Sequence, residues 1–215
     1  MKKTRRDIYM RFKIEVHDFL LERGFEYFPK DMEYRREVAE GHSEFSFNVT
    51  YLSGPWFEFS YYVGVKFVVY SDIYNLFIKN PKDNWRYRSV YAINGSKLGL
   101  YKQDRNSEDH FSTEKQLIDM ATHLKSNWNI VEDFYLANSS VEKCANLVFR
   151  SNGKNIYNLS LYPYQEIILA YISKHPEFKD IFNNYRSKAT EQAGIDYYNN
   201  LKNALNQYDP NINLE

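Results

Sequence analysis

The sequence has little cysteine, little glycine and no net charge, and each shortage narrows the range of functions. Cys144 is the only cysteine, so no disulfide forms within the chain, and a lone thiol suits a reducing compartment. Only eight of the 215 residues are glycine, and the absence of G-x-G-x-x-G and Walker patterns argues against a nucleotide cofactor. With 28 basic and 28 acidic residues, the usual charge signal for nucleic acid or an anionic membrane is missing.

Long apolar segments are missing as well. No stretch of the sequence approaches the roughly 18 apolar residues that span a membrane, and the longest apolar strand is interrupted by Glu58 and Lys66. The basic start is not followed by the apolar core of a signal peptide, because Asp7 and Arg11 come next. We therefore expect a cytoplasmic protein that does not enter a membrane.

Aromatic residues, in contrast, are abundant, with 20 Tyr, 15 Phe and 3 Trp, and disordered chains are poor in such residues. The first predicted element is a helix over residues 6–23, in which Ile8, Phe12 and Val16 recur at helical spacing. Gly24 follows it and is the residue type that most often ends a helix. A folded chain that begins with an amphipathic helix is the expectation.

The apolar period then changes from 3.6 to two. Over residues 43–52 and 56–70 apolar and polar side chains alternate, which predicts an antiparallel sheet with one packed and one wet face. The apolar set is Phe45, Phe47, Val49, Tyr51, Phe57, Phe59, Tyr61, Val63, Val65, Phe67 and Val69. Further strands are predicted over 32–38, 85–93 and 97–101, the last two joined at Asn94-Gly95. Together they make an antiparallel meander of about five strands.

Helical spacing returns after residue 112. A stripe predicts one long helix to about Ala137, and it consists of Leu117, Ala121, Leu124, Trp128, Val131 and Tyr135. Further helices are predicted near 141–150, with a strand over 146–149 as the alternative, and near 164–174, 176–189 and 191–208, with 102–111 as a loop. Residues 72–78 are left open, with a short helix as one interpretation. We therefore predict a single α+β domain over 1–215, sheet-rich over 1–102 and helix-rich over 112–208, with the helices packed on one sheet face.

Two pairs of residues have the spacing of metal ligands. His42 and Glu44 would share one face of a strand, and Asp119 and His123 one face of a helix. Neither pair has a nearby second half such as H-E-x-x-H or paired cysteines. We interpret both pairs as ordinary surface residues and predict no metal and no other cofactor.

Signs of nucleophilic catalysis are equally weak. Cys144 lies on a predicted helix between Val141 and Leu147, where a small buried thiol is the usual occupant. No G-x-S-x-G pattern occurs. The sequence therefore favours a protein that is not an enzyme, and no catalytic residue is assigned.

The polar side of the predicted sheet is the one candidate binding surface. Its side chains are Glu44, Glu58, Tyr62, Lys66, Arg86 and Arg88. One interpretation is cross-strand ion pairing on a wet face. The other is a contact surface for a second protein, since guanidinium groups grip carboxylates and tyrosine supplies rigid contact area. Aromatic and basic residues also mix on nucleic-acid platforms, but no RNP-type motif is present and the balanced charge argues against that class.

The opening of the chain resembles a group of uncharacterised bacterial α+β proteins, some of them associated with toxin-immunity loci. The resemblance lies in Leu20-Leu21-Glu22-Arg23-Gly24-Phe25, in Tyr34-Arg35 and in the alternating strands. It covers at most the first half of the chain and supplies no catalytic residues. It implies a partner-binding protein, such as an immunity protein that neutralises a toxin.

Two functions are left open by the sequence. The first is a non-enzymatic protein-binding domain that acts through an exposed sheet face or a helix groove. The second is a small-molecule-binding protein or an enzyme with a tyrosine-lined pocket between sheet and helices, because tyrosine hydroxyls orient ligands inside apolar clefts.

Overall fold

The computed structural model describes residues 4–51, 57–78, 91–95, 98, 110–111, 114–149, 161–212 and 214. Its strands are β1 (Glu26–Phe28), β2 (Glu33–Val38), β3 (Gly41–Tyr51), β4 (Phe57–Phe67), β5 (Tyr91–Asn94) and β6 (His110–Phe111). Its helices are α1 (Arg5–Leu21), α2 (Val68–Phe77), α3 (Glu114–Ser126), α4 (Trp128–Ala137), α5 (Val141–Phe149), α6 (Pro163–Ile172), α7 (Phe178–Ser187) and α8 (Gln192–Tyr208). The predicted α+β class is confirmed, and no helix within these described ranges has both the length and the apolar character to cross a membrane.

Among the described residues the strands form one sheet in sequence order, β1-β2-β3-β4-β5, as a meander does. β1 and β2 pair antiparallel, with Phe28 opposite Glu33. β6 pairs antiparallel with β4, with His110 opposite Glu58. The sequence analysis missed β1 and β6, because strands of three and two residues are too short to show a period.

α1 begins at a capping box and ends before a left-handed glycine, close to its predicted bounds. The backbone N–H of Asp7 donates to Thr4 Oγ1 at 3.2 Å, and the N–H of Thr4 donates to Asp7 Oδ2 at 2.8 Å. Gly24 follows with φ at 77°, a conformation that costs glycine least. The fully buried side of α1 consists of Ile8, Phe12, Val16 and Leu20.

The side of the sheet that alternation predicts to be apolar is buried, and we call it the apolar sheet face. Its buried side chains are Phe45, Phe47, Val49, Tyr61, Val63, Val65 and Phe67. α1 and α4 lie against it, since ring centroids are 5.1 Å apart for Phe12 and Phe47 and 5.7 Å for Phe45 and Trp128. The predicted register is confirmed for these residues. The side chains of Tyr51, Phe57 and Phe59 lie outside the described part, and the prediction for Val69 is wrong, since Val69 is 38% exposed on α2.

The chain leaves β4 earlier than the alternation predicts. The predicted strand ran to residue 70, but β4 ends at Phe67 and α2 begins at Val68. The N–H of Val68 donates to the carbonyl of Glu40 at 3.0 Å, and the residues that follow bury Tyr70 and Ile73 at helical spacing. The apolar residues of this stretch fit the spacing of a strand and that of a helix. The helix forms because it buries both Tyr70 and Ile73.

The predicted long helix is divided into α3 and α4 at Asn127. The N–H of Asn127 donates to the carbonyls of His123 and Leu124 at 3.1 and 3.2 Å, and its side-chain amide donates to the His123 carbonyl at 2.9 Å. The break leaves the buried stripe intact, since every residue predicted for it is buried. Periodicity alone therefore did not reveal the break.

The chain divides into two compact units that interleave along the sequence. The first contains α1, α3, α4 and most of the sheet, and the second contains α2 and α5 to α8. This division does not follow the predicted change from a sheet-rich part over 1–102 to a helix-rich part over 112–208. That the whole chain forms a single domain stays a prediction.

The second unit has an aromatic centre. α2 packs against α6 through Tyr74 and Tyr164, whose ring centroids are 5.5 Å apart, and against α8 through Phe77 and Tyr197 at 5.1 Å. α6 starts with Pro163 in its first turn, which is a favoured place for proline. The helices α5 to α8 lie within a few residues of their predicted bounds.

A two-pronged ion pair joins β2 to α4 within the first unit. Arg36 Nη1 and Nη2 donate to the two carboxylate oxygens of Glu132 at 2.9 and 2.8 Å, and the indole of Trp128 donates to the same carboxylate at 2.7 Å. The guanidinium also lies over the rings of Phe25 and Tyr135. Burial acts to raise the pKa of Glu132, but the hydrogen bonds outweigh burial and hold that pKa below its usual value.

Replacing Glu132 by Gln is expected to lower the free energy of unfolding by about 1–2 kcal/mol at neutral pH. Because the folded pKa is lowered, the carboxylate stabilises the fold above its unfolded pKa of about 4.3, and this contribution is lost as the pH falls through the folded value. Urea unfolding at pH 7 and at low pH measures both quantities. Glu15→Gln, which breaks a pair with Arg11 one turn away on the same helix, is the control and should cost at most about 0.5 kcal/mol. This account would be contradicted if Glu132→Gln lowered the free energy of unfolding by the same amount at low pH as at pH 7.

Candidate functional site

The polar side of the sheet carries the candidate site, because a strand that buries one side chain turns the next one to the opposite side. His42 and Glu44 leave β3 opposite to Phe45, and Glu33 leaves β2 opposite to the buried Tyr34. Glu33 and Glu44 are nevertheless only 6% and 7% exposed. Two carboxylates are thus withdrawn from water on this face, an arrangement that is costly unless partners neutralise them.

Glu33, His42 and Glu44 together form a compact group, the Glu33–His42–Glu44 cluster. One carboxylate oxygen of each glutamate and one ring nitrogen of His42 lie within 4.8 Å of one another. His42 Nε2 is 3.0 Å from Glu44 Oε1, and because a carboxylate oxygen accepts, the nitrogen donates. The His42 side chain is 17% exposed, so the imidazole is the part of the cluster most open to water.

Arg35 holds the carboxylate of Glu33 in place. Its Nε donates to Glu33 Oε1 in a short bond, and its Nη2 donates to Asp31 at 2.5 Å. The guanidinium lies 4.3 Å from the ring centroid of Phe28. Burial acts to lower the pKa of Arg35, but Glu33 and Asp31 outweigh burial and raise it. Arg35 is therefore a permanent cation at the edge of the cluster.

Hydrogen bonds from two tyrosine side chains hold the backbone next to the two glutamates of the cluster. Met32, directly before Glu33, has φ at 54°, a left-handed conformation that is uncommon for a residue other than glycine. The Tyr9 hydroxyl donates to the Met32 carbonyl at 3.2 Å. The hydroxyl of the buried Tyr135 donates to the Glu44 carbonyl at 2.7 Å. α1 and α4 thus anchor the backbone at both glutamates.

Gly41, directly before His42, is required by a close approach of two strands. A Cβ atom at this position would lie 1.9 Å from the Lys66 carbonyl oxygen and 2.9 Å from Phe67 Cα. Both neighbours are backbone atoms, so a side chain at this position would fit only if the two strands moved apart. The glycine therefore sets where β3 starts and from which backbone position His42 extends.

The residues predicted for a binding surface have different outcomes. Glu44 enters the cluster. Lys66 and Tyr62 are half-buried on β4, where the Ser60 hydroxyl donates to the Tyr62 hydroxyl at 3.5 Å. Outside the described side chains lie Glu58, Arg86 and Arg88. That these six residues form one binding surface stays a prediction.

Sequence reasoning found half of the cluster and missed the other half. It paired His42 with Glu44 through their spacing, and it placed Glu33 in a strand without assigning it a role. Glu33 joins the pair because of strand pairing and side-chain reach, and spacing along one strand contains no such information. Its signal in the sequence was a glutamate next to the aromatic Tyr34, on the polar side of a strand otherwise rich in charge.

The other predicted candidates do not gather into such a group. Asp119 and His123 are both exposed on α3, and His123 accepts from the Asn127 side-chain amide through its backbone carbonyl. Cys144 is buried on α5, and burial raises the pKa of its thiol to about 12. The thiol is thus protonated at neutral pH and shielded from solvent, as expected for a packing residue.

The chain has no match among protein-family models, curated proteins or solved structures. The resemblance of its first half to uncharacterised bacterial α+β proteins, some of them associated with toxin-immunity loci, stays an expectation.

Replacing Gly41 by Ala is expected to destabilise the protein by about 1–3 kcal/mol or more, because the added methyl group overlaps backbone atoms of β4. The measurement is the urea midpoint of unfolding. Gly194→Ala is the matched control. Gly194 lies at the start of α8, and its added Cβ would meet only the Ala189 side chain, at 3.2 Å. Alanine is a better helix former than glycine by about 1 kcal/mol, so this variant should not lose stability as Gly41→Ala does. Equal stability of the wild type and Gly41→Ala would show that β3 and β4 can separate at no cost.

Proposed function

We propose that this chain is a non-enzymatic protein-binding domain whose contact surface is the outward side of α1. The observation that carries the proposal is a line of exposed apolar side chains. Met10 is 42% exposed, Ile14 61% and Leu21 44%. We call these three residues the outer α1 stripe.

The stripe is a second apolar side of α1, in addition to the side that α1 buries against the core. At 3.6 residues per turn its three residues lie within about 40° of one another around the axis and span about 16 Å along it. The buried side of the same helix, which includes Phe12 and Val16, lies roughly opposite. A helix that only covers its own core is polar on the side facing water. Apolar residues on both sides are typical of a helix that also packs against a partner.

Charged residues flank the stripe in an ordered way. Exposed Arg6 and half-buried Lys13 lie on one margin, and exposed Asp7 and Asp18 lie on the other. Protein interfaces have this arrangement, with an apolar centre and a polar rim. The fitting partner is a protein that presents a helix with its own apolar stripe and with charges in the opposite order.

The remaining parts of the proposal rest on the sequence. The absence of a catalytic motif supports a non-enzymatic role, and the lone buried thiol of Cys144 suits the cytoplasm. The resemblance of the first half supports a toxin-neutralising immunity protein, for which the partner is a toxin. An immunity protein needs a stable contact surface and no chemistry of its own.

Replacing Ile14 by Glu is expected to weaken partner binding by about ten- to a hundredfold, because an apolar side chain that becomes buried contributes about 1.5–3 kcal/mol. Stability should change by less than about 0.5 kcal/mol, since the residue faces water in the free protein. The experiment captures partners from the source cell with the wild-type chain and then measures the affinity of each purified partner for wild type and variant.

Ile195→Glu is the matched control, because it is the same substitution at a residue that is 39% exposed on α8. The proposal predicts full binding by the control and loss of binding by Ile14→Glu. Equal affinities of Ile14→Glu and wild type for every captured partner would exclude the outer α1 stripe as the contact surface.

A small-molecule ligand among the tyrosines of the second unit is the alternative. The fully buried Tyr70 hydroxyl lies beside Gln165 and makes no hydrogen bond of normal geometry within the described residues. An unpaired buried hydroxyl is unusual and costs about 1–3 kcal/mol. A ligand that supplied the missing partner would recover that energy.

Replacing Tyr70 by Phe distinguishes this alternative. The variant is expected to be at least as stable as wild type, because it removes a buried hydroxyl that makes no hydrogen bond of normal geometry within the described residues. Tyr171→Phe, whose hydroxyl donates to Asp209 at 3.1 Å, is the control and should lose about 1 kcal/mol. In a thermal-shift screen of metabolites, a ligand at this position stabilises wild type and Tyr171→Phe more than Tyr70→Phe. A screen in which no compound shows that difference rejects the alternative.

A further inference from the structure

We propose that the Glu33–His42–Glu44 cluster binds a divalent transition-metal ion, with Zn²⁺ as the best-fitting example. The sequence predicted no metal, because His42 and Glu44 lacked a second half. Glu33 supplies the third donor, and the three donor atoms already lie within 4.8 Å of one another. This inference is independent of the outer α1 stripe.

The chemistry of the donors selects the class of metal. One imidazole nitrogen and two carboxylate oxygens suit Zn²⁺ and its first-row neighbours. Ca²⁺ and Mg²⁺ prefer sets made of oxygen alone. Three protein ligands also leave at least one coordination position for water or for a group of another molecule.

The distances need only a small adjustment to hold an ion. Ligands about 2.1 Å from a tetrahedral Zn²⁺ lie about 3.4 Å from one another. His42 Nε2 and Glu44 Oε1 are 3.0 Å apart, joined by the proton on the nitrogen. An ion takes the place of that proton, so nitrogen and oxygen then bind the metal together. Since the three donor atoms lie within 4.8 Å of one another, Glu33 has to move closer by at most about 1.4 Å to reach that spacing.

Burial and charge favour a cation at this position. Two carboxylates that are more than nine-tenths buried repel each other within a few ångströms, and a divalent ion between them removes that repulsion. Arg35 already pairs with Glu33 at this position. The metal therefore competes with Arg35 for that carboxylate, and the metal affinity reflects the difference between the two interactions.

Residues around the donors fix their orientation, as they do around bound metals. Arg35 donates to Glu33 and is itself held by Asp31, and a carboxylate has about four lone-pair directions, so it serves both an arginine and a metal. Tyr135 holds the Glu44 backbone. Hydrogen-bonded ligands of this kind lose less freedom when the ion binds.

The test is a calorimetric titration of the tag-free chain with Zn²⁺, followed by titrations with Mn²⁺ and Ca²⁺. We expect one Zn²⁺ per chain, bound more tightly than Ca²⁺ because a nitrogen donor takes part. Glu33→Gln and Glu44→Gln keep the shape of the side chain and should each weaken Zn²⁺ binding by at least about tenfold. His123→Ala is the matched control, because it removes an exposed histidine outside the cluster and should leave binding unchanged.

A second measurement needs no variant. The imidazole resonances of the five histidines are followed by NMR during the Zn²⁺ titration, and those of His42 should shift at one equivalent while those of His123 stay in place. Three results would overturn the proposal: no saturable uptake by the wild type, equal affinities for Zn²⁺ and Ca²⁺, or a shift of other histidines in preference to His42.

Discussion

The structure of the first unit depends on the complete burial of one side of its sheet, and Phe45 lies at the centre of that burial. Its ring centroid is 5.9 Å from that of Tyr61 on β4, 5.7 Å from that of Trp128 on α4 and 6.5 Å from that of Tyr34 on β2. These contacts tie two neighbouring strands and a helix to β3. Because side chains alternate strictly along a strand, fixing Phe45 on the inside fixes His42 and Glu44 on the outside.

This constraint explains why buried carboxylates occur on the polar side. Strand spacing brings outward side chains of neighbouring strands within reach of one another, so Glu33 cannot avoid the vicinity of Glu44 while Tyr34 stays inside. The fold compensates with hydrogen bonds from Arg35 and His42. Buried polar groups of this kind persist when fully partnered, and the same convergence of donors is what a metal ion requires.

Sequence periodicity predicted the elements wherever one period dominated and failed where two periods were compatible. Phe45 and Phe47 were placed on the correct side of the sheet because alternation is uninterrupted around them. The stretch that starts at Val68 fits a strand and a helix equally, and the burial of Tyr70 and Ile73 at helical spacing decides for the helix. The turn at Asn127 leaves the buried stripe unchanged, so no periodic signal exists for it. Glu33 was missed because a site assembled across strands depends on pairing, which a single sequence does not display.

The two candidate surfaces of the first unit lie on opposite sides of its sheet. The inner side of α1 covers the apolar sheet face, so the outer α1 stripe is separated from the cluster by a helix and a layer of strand backbone. A partner on α1 therefore does not obstruct an ion at the cluster. One chain of contacts does connect them: the Tyr9 ring stacks on Phe47 at 4.4 Å, and its hydroxyl binds the Met32 carbonyl beside Glu33. Met32 has φ at 54° and directly precedes Glu33, so the bond from Tyr9 holds the backbone from which the Glu33 side chain extends.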